Sequence, residues 1–169
     1  PYLCSRRQCD RHLNVGGTQQ ADIALDAATC QVFATGYTQK TSNLQVAFIR
    51  AWSYASRTPT WTGYDFSASE VTSANLGSDT RGRLITIGRD GKLYFAGSIN
   101  GGTGASIFAR HPDDIARNAS DRTVQTDNYN RPTQVGSISM TWYGRYNPTS
   151  GALELGQSLL TRLSSGNGN

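Results

Sequence analysis

Two groups of aromatic residues are the strongest candidates for binding chemistry in this sequence. Both combine Trp and Tyr, whose rings can stack on sugar faces while the indole N–H or the phenol O–H bonds to a hydroxyl group. The candidate binding residues are Trp52, Trp61, Tyr64, Trp142, Tyr143 and Tyr146. Trp and Tyr are also ordinary residues of β-sheets, and packing inside and between sheets is the favoured interpretation of both groups. Trp52→Ala or Trp142→Ala would separate the glycan interpretation from the packing interpretation. A glycan site predicts that the variant loses glycan binding and retains the fold.

Candidate catalytic residues are sparse. His12 and His111 are the two side chains that could act as a base at neutral pH, and neither has a nucleophile motif beside it. The sequence contains no Gly-x-Ser-x-Gly, His-Glu-x-x-His or Cys-x-x-Cys motif. Asp113 and Asp114 could pair as carboxylates, but adjacent residues usually point apart, and a solvated turn or helix start is favoured. No catalytic residue is assigned, and the chain is expected to act without catalysis.

Metal ligands are equally sparse. Asp79, Asp90 and Asp127 lie where turns could bring oxygen ligands to a calcium ion. No Asp-x-Asp-x-Asp-Gly pattern accompanies them, and a tight turn accounts for the Asp90-Gly91 pair without a metal. No metal site and no cofactor are therefore predicted.

The three cysteines give an indication of the cellular compartment in which the protein works. Cys4 and Cys9 could close a small loop as a disulfide, and the odd count leaves Cys30 free or paired outside the chain. The C-x4-C spacing with His12 nearby matches no strong zinc pattern, so the disulfide is favoured over a metal. A disulfide predicts an oxidising, extracytoplasmic location: secreted, cell-surface or periplasmic.

Arginine dominates the basic residues. The chain carries 16 Lys and Arg against 12 Asp and Glu, and 14 of the 16 are Arg. The planar fork of Arg suits phosphates and carboxylates, so an Arg-mediated polyanion binder is one alternative, with an affinity that falls steeply with salt. Only Arg6, Arg7 and Arg11 cluster, however, whereas nucleic-acid sites combine a basic stripe with stacking aromatics. Nucleic acid is therefore a disfavoured partner.

A repeated hairpin must position the candidate residues. Residues 23–37 contain an alternating strand, a turn and a second strand that reaches a Gly, and residues 84–98 repeat this pattern around Asp90-Gly91. Asp-Gly between alternating strands favours a tight hairpin turn, and the later Gly allows a bend or a close neighbour. Eighteen Gly and a 37% hydrophobic share also suit short strands and many turns. The sequence predicts an all-β fold of antiparallel, four-stranded, blade-like sheets: a partial β-propeller of about two blades with one long polar loop.

The organisation along the chain follows from this pattern. Residues 1–20 are expected to form an N-terminal arm or linker and residues 21–169 the β-domain. Repeat one spans about 21–70, with strands at 22–25, 31–37, 44–51 and 61–66. Repeat two spans about 83–163, with strands at 83–87, 93–97, 105–109, 137–145 and 152–160. Residues 71–82 are expected to be a polar connection, and 111–134 the long loop with one helical turn at 113–117.

Parts of the chain resemble a known repeat family. The phrase Ile-x-Ile-x-x-Asp-Gly-x-Leu-Tyr-x-x-Gly at 85–97, followed by an apolar-Phe-x-Arg sequence at 107–110, is similar to the β-propeller repeats of bacterial secreted and cell-surface proteins. The Pro/Gly turn at 146–151, with Arg145 before it, also resembles the outer hairpin of such blades. The resemblance implies architecture, since families of this kind include adhesion, scaffold and binding proteins as well as enzymes.

A role in assembly is the resulting expectation. A closed propeller needs at least four blades, so two blades would leave exposed edges that pair with missing sequence, another copy or a larger complex. The leading prediction is a non-catalytic, extracytoplasmic structural or protein-interaction module, whose partners are other protein subunits or itself. The alternatives are a carbohydrate-binding module or glycan-active enzyme that uses the Trp/Tyr groups, and the polyanion binder. No apolar stretch approaches the roughly 20 residues that a membrane span needs.

Overall fold

The computed structural model describes residues 18–56, 58–100, 106–119, 124–125 and 139–159. Several predictions lie outside these residues. They are the Cys4–Cys9 disulfide, most of the N-terminal arm at 1–20, the candidate base His12 and the candidate calcium ligand Asp127. The architecture that follows concerns the described ranges.

The first half of the chain forms one antiparallel sheet. Its strands are β1 (Thr18–Asp26), β2 (Gln31–Thr41), β3 (Leu44–Ser53) and β4 (Trp61–Tyr64). They lie in the order β1-β2-β3-β4, so each strand pairs with the next one along the chain. The β1–β2 turn is held by Asp26, whose carboxylate accepts hydrogen bonds from the Ala28 amide at 2.9 Å and the Thr29 hydroxyl at 2.6 Å. The predicted first four-stranded sheet is confirmed.

The rest of the chain contains one short α-helix, one 3-10 helix and seven strands in the described residues. The α-helix is α1 (Ala68–Ser73). The strands are β5 (Asp79–Ile87), β6 (Leu93–Asn100), β7 (Arg110–His111), β8 (Asp114–Asn118), β9 (Val124–Gln125), β10 (Ser139–Tyr146) and β11 (Leu153–Leu159). The second sheet has the order β5-β6-β10-β11-β9. Its four long strands are antiparallel, and β9 adds two residues in parallel to β11.

Three segments differ from the sequence prediction. Residues 107–109 form a 3-10 helix and not a strand, because Ile107 and Phe108 are neighbours that both enter the core, which an alternating strand does not allow. The helical turn expected at 113–117 belongs instead to the β7–β8 hairpin, inside the segment predicted as a long loop. The polar connection at 71–82 contains the end of α1 and the start of β5, and Ser67 and Glu70 form the capping box of that helix.

The two sheets share one hydrophobic core. Tyr64 lies at its centre, with ring centroids 5.1 Å from Phe108, 6.3 Å from Phe95 and 6.3 Å from Tyr146. These rings come from both sheets and from the 3-10 helix, so their burial couples the two halves of the chain. The protein is therefore an all-β protein of antiparallel, four-stranded, blade-like sheets.

Strand β5 joins the second sheet to the first. It lies against β1, β2 and β3, and side chains cap the free backbone N–H groups at this junction. The Asp22 carboxylate accepts from the Ile85 amide at 2.9 Å, and the Asp79 carboxylate accepts from the Gln45 amide at 2.8 Å. Each bond satisfies a backbone donor that the sheet ladder leaves open.

Candidate interaction face on the second sheet

Most of the predicted binding rings are buried. Trp142 and Tyr146 are fully buried, and Tyr64 and Trp52 are nearly so. Their burial agrees with packing inside and between the sheets, which was the favoured interpretation. It removes four rings from the alternative of exposed Trp/Tyr clusters, because they offer no face to a ligand at the surface. Small residues make room for the two innermost rings: a Cβ on Gly144 would meet the Tyr146 ring, and a Cβ on Gly156 would meet Trp142.

The polar atoms of the buried rings bond to one another. The Trp142 indole N–H donates to the Tyr146 hydroxyl at 3.0 Å, and the hydroxyls of Tyr146 and Tyr64 are 2.9 Å apart. Burial raises the pKa of both Tyr64 and Tyr146, so both phenols stay protonated. This satisfied network accounts for three of the six candidate rings as part of the core.

Trp61 has a structural contact as well. Its indole N–H donates to the Pro148 carbonyl at 2.9 Å, and its ring covers Gly151, where an added Cβ would lie 2.9 Å from the ring carbon Cδ2. Gly151 has a φ of 73°, which favours glycine at this turn. Trp61 therefore connects β4 to the turn between β10 and β11 through a hydrogen bond and a ring contact.

Tyr143 is the candidate ring that lies at the surface. It stacks on Tyr94 of the neighbouring strand, with ring centroids 5.9 Å apart and an interplanar angle of 26°. The alternation of β6 explains the arrangement: Leu93, Phe95, Gly97 and Ile99 face the core, whereas Tyr94 and the residues between them face outward. Tyr143 is opposite Ala96 in the register and therefore projects from the outward side.

The outward side of the second sheet carries an apolar surface, here called the outer face. Strand register places Leu84, Ala96, Tyr143 and Gln157 in one row across it, and Tyr94 and Leu155 in the next row. The exposed fractions are 63% for Leu84, 44% for Tyr143, 47% for Leu155 and 53% for Leu159. Among the described residues five large apolar side chains are exposed, and four of them lie on this face. Such clustering is typical of an interaction surface.

Sequence reasoning missed the leucines of the outer face. Leu153, Leu155, Leu159 and Leu160 keep no single period, so the sequence of β11 gave only a weak strand signal. The structure gives the reason: the register shifts between Arg145 and Tyr146, and β11 carries Leu on both sides, with Leu153 buried and Leu155 and Leu159 outward. The readable signal was the adjacent pair Leu84 and Ile85, which puts an apolar side chain on each side of β5 without showing which side is buried.

Charged groups border the outer face and are bonded to each other. Glu154 forms ion pairs with Lys92 at 2.5 Å and with Arg145 at 3.2 Å. The Tyr94 hydroxyl donates to Asp90 at 2.8 Å, and this bond lowers the pKa of Asp90 and raises that of Tyr94. The border of the face therefore consists of paired charged groups, while its centre is apolar.

The described acidic residues and His111 are not grouped around a metal site. Within the described ranges no group of three or more His, Cys, Asp or Glu side chains is placed to hold a metal ion. Asp113 pairs with Arg117 at 3.1 Å, and Asp114 accepts from the Ala116 amide, so both carboxylates serve the β7–β8 turn. The calcium candidate Asp79 accepts a backbone hydrogen bond at the junction of the sheets.

The described arginines contact different parts of the molecule. Arg50 pairs with Asp65 and lies over the Phe48 ring, 4.2 Å from its centroid. Arg81 lies over Tyr37 and donates to Gln45. These contacts use the guanidinium groups inside the fold, and they give no support to a shared basic stripe for a polyanion.

Asp65 stabilises the end of the first sheet. It follows Tyr64, and both have positive φ values, 44° and 62°, which cost energy in residues other than Gly. Lys40 and Arg50 hold the Asp65 carboxylate at 2.7 and 2.5 Å. Burial would raise the pKa of Asp65, but the hydrogen bonds from Arg50 and Lys40 outweigh it, and the pKa is lowered.

Asp65→Asn is expected to destabilise the protein by about 1–3 kcal/mol at pH 7, because two cations lose their shared carboxylate. A lowered folded pKa contributes stability above the unfolded value of 3.8, and this contribution disappears as the pH falls through the folded pKa. Urea titrations of both proteins should therefore differ at pH 7 and converge in strong acid. A difference that stays constant with pH would contradict the role of this carboxylate.

Comparison of the chain with protein-family models, with curated proteins and with solved structures gives no match. In the described part of the chain, no helix has the length and apolar character needed to cross a membrane. The functional proposal therefore depends on the chemistry of the outer face.

Proposed function

We propose that this chain is a non-catalytic structural or protein-interaction module that acts outside the cytoplasm, as part of a larger propeller or assembly, and that the outer face is its docking surface. One observation carries the proposal: Leu84, Tyr143, Leu155 and Leu159 project from the same side of one sheet. Fully burying a large apolar side chain contributes about 1.5–3 kcal/mol, and these four are about half exposed, so a partner that covers them gains roughly half of that from each. The extracytoplasmic location rests on the cysteines and on the resemblance to secreted repeat proteins.

The sheet itself supports protein docking. Blade-like sheets pack on one another through their faces at a spacing of about 10 Å, with side chains of the two faces interdigitating. The inner side of the second sheet already packs in this way against the first sheet. Its outer face presents the same kind of surface, with branched aliphatic side chains in neighbouring rows.

Photo-crosslinking tests the proposal. A benzophenone amino acid at position 155 is expected to give discrete protein adducts on illumination in the native cells. The same group at position 62, exposed on β4 of the first sheet, is the control and should give few. Leu84→Arg in the crosslinking chain should suppress the adducts, since it places a charge in the same face. Equal adduct patterns at positions 155 and 62 would contradict a docking role for the outer face.

A carbohydrate-binding role is the second candidate. The observation that favours it is the Tyr94–Tyr143 stack at the surface, with Asp90 and Arg145 beside it. It predicts that a glycan array detects binding by the native chain and not by Tyr143→Ala. If the native chain binds no glycan on such an array, the carbohydrate role is contradicted.

A further inference from the structure

We propose that the outer face binds a second copy of this chain, with the two faces packed across a two-fold axis. This inference rests on the proposed function and specifies the partner. Two-fold dimers use the same surface of both subunits, so that surface must complement itself. The outer face meets this requirement in its apolar centre and in the placement of charges at its ends.

The centre of the face lies in the row that contains Ala96 and Tyr143. On β6, Tyr94 and Ser98 are each two residues from Ala96, in opposite directions along the strand, and both face outward. A two-fold axis that lies in the interface and runs perpendicular to β6 above Ala96 therefore places Tyr94 of each subunit over Ser98 of the partner subunit. It also brings Tyr143 close to Tyr143 of the partner subunit, and apolar side chains against apolar side chains.

The two-fold axis brings the Tyr94 end of the outer face in one subunit against the Ser98 end in the partner subunit, and these two ends carry opposite charges. Arg83 extends to Ser98, where its Nε–H donates to the hydroxyl at 3.1 Å. Asp90 accepts from the Tyr94 hydroxyl at 2.8 Å and is ionised at neutral pH. The axis therefore places Arg83 of each subunit near Asp90 of the partner subunit. Such complementary pairs fix the register of an interface.

The hydrogen-bonding groups of the face favour a copy of the chain over a sugar. Glu154 is engaged by Lys92 and Arg145, and the Tyr94 hydroxyl is engaged by Asp90. A sugar would compete with these bonds for its own hydroxyl groups. A second copy leaves them in place and covers the aliphatic side chains, which matches the apolar character of homodimer interfaces.

The mass of the reduced full chain in solution tests the dimer. Sedimentation equilibrium, with the thiols kept reduced, is expected to show a dimer at about 100 µM, where even a weak self-association is populated. Leu84→Arg and Tyr143→Arg should each weaken dimerisation at least tenfold and leave the circular dichroism spectrum of the folded protein unchanged. Thr62→Arg, on the first sheet, should leave dimerisation unchanged. A monomeric native chain, or a dimer that survives both face variants, overturns the inference.

A charge exchange tests the two-fold register. Arg83→Glu and Asp90→Arg should each weaken self-association, since each places like charges together twice in the dimer. A mixture of the two folded variants should recover dimerisation, because position 83 of each variant then meets an opposite charge at position 90 of the other. Arg89 is exposed in the same turn as Asp90 and keeps its charge in both variants. A mixture no better than either variant alone overturns this register.

The two proposals can fail separately. A monomeric chain whose residue 155 still crosslinks to a different protein would retain the docking function and overturn the second copy as its occupant. A chain that neither dimerises nor crosslinks through the outer face would contradict both.

Discussion

Gly82→Ala is expected to destabilise the protein by more than about 3 kcal/mol, a larger effect than most overpacking substitutions produce. Gly82 lies in β5 where this strand crosses β2 of the first sheet. An added Cβ would lie 2.9 Å from both the backbone N and the backbone O of Gly36, and it would overlap the Thr35 hydroxyl. The severest overlap is with the Thr35 hydroxyl, which is fully buried and donates to the Phe48 carbonyl at 2.7 Å. The Gly36 backbone lies just beyond it, so neither obstacle can move aside freely.

The consequences of this overlap extend to the other bonds of the junction. To accept the Cβ, β5 must move away from the first sheet, and this loosens the hydrogen bonds that the Ile85 amide donates to Asp22 and the Gln45 amide donates to Asp79. Urea denaturation followed by circular dichroism would measure the loss. Gly77→Ala is the matched control, because nothing lies within 4 Å of its added Cβ. Equal stabilities of the two variants would show that the sheets do not meet at this crossing.

Turn residues made part of the fold predictable from sequence. Asp90-Gly91 predicted the β5–β6 hairpin, and the structure shows a φ of 71° at Gly91 and a hydrogen bond from the Lys92 amide to the Asp90 carboxylate. Gly151 likewise ends the turn before β11, with a φ of 73°. Such dihedral angles are available to few residue types, so the sequence carries the information locally.

Segments fixed by tertiary packing were not predictable in the same way. Ile107 and Phe108 are apolar and adjacent, which suits a buried strand as well as a 3-10 helix, and only the shared core selects the helix. The Ser67-x-x-Glu70 capping box was a readable signal for α1, but the helix has only six residues and little periodicity. Local chemistry therefore defined the hairpins, whereas the core defined the connections.

The candidate site was predictable only in part, because alternation does not show which side of a strand is buried. The exposed ring Tyr143 was among the predicted binding residues, whereas its stacking partner Tyr94 and the leucines of the outer face were not. Leu84 and Leu155 resemble core residues in sequence. They lie outward because β5 and β11 also carry the residues that fill the core from the other side, Ile85 and Leu153.

Trp142→Ala is expected to destabilise the protein by about 3–5 kcal/mol, as removal of a fully buried large aromatic side chain usually does. The Trp142 ring is stacked on Phe108, with centroids 5.6 Å apart and an interplanar angle of 8°. Its indole N–H also donates to the Tyr146 hydroxyl. The substitution leaves both a cavity and a buried hydroxyl with one bond fewer, and these costs add to the lost apolar burial.

Tyr143→Ala is the matched control for this experiment, because the two residues are adjacent in β10 and face opposite sides of the sheet. It should change the free energy of unfolding by less than about 1 kcal/mol, since Tyr143 is exposed and loses mainly its contact with Tyr94. The pair therefore separates a core role from a surface role within two residues. A Trp142→Ala protein as stable as the native chain would place this ring outside the core, and the glycan interpretation of the buried group would then regain its basis.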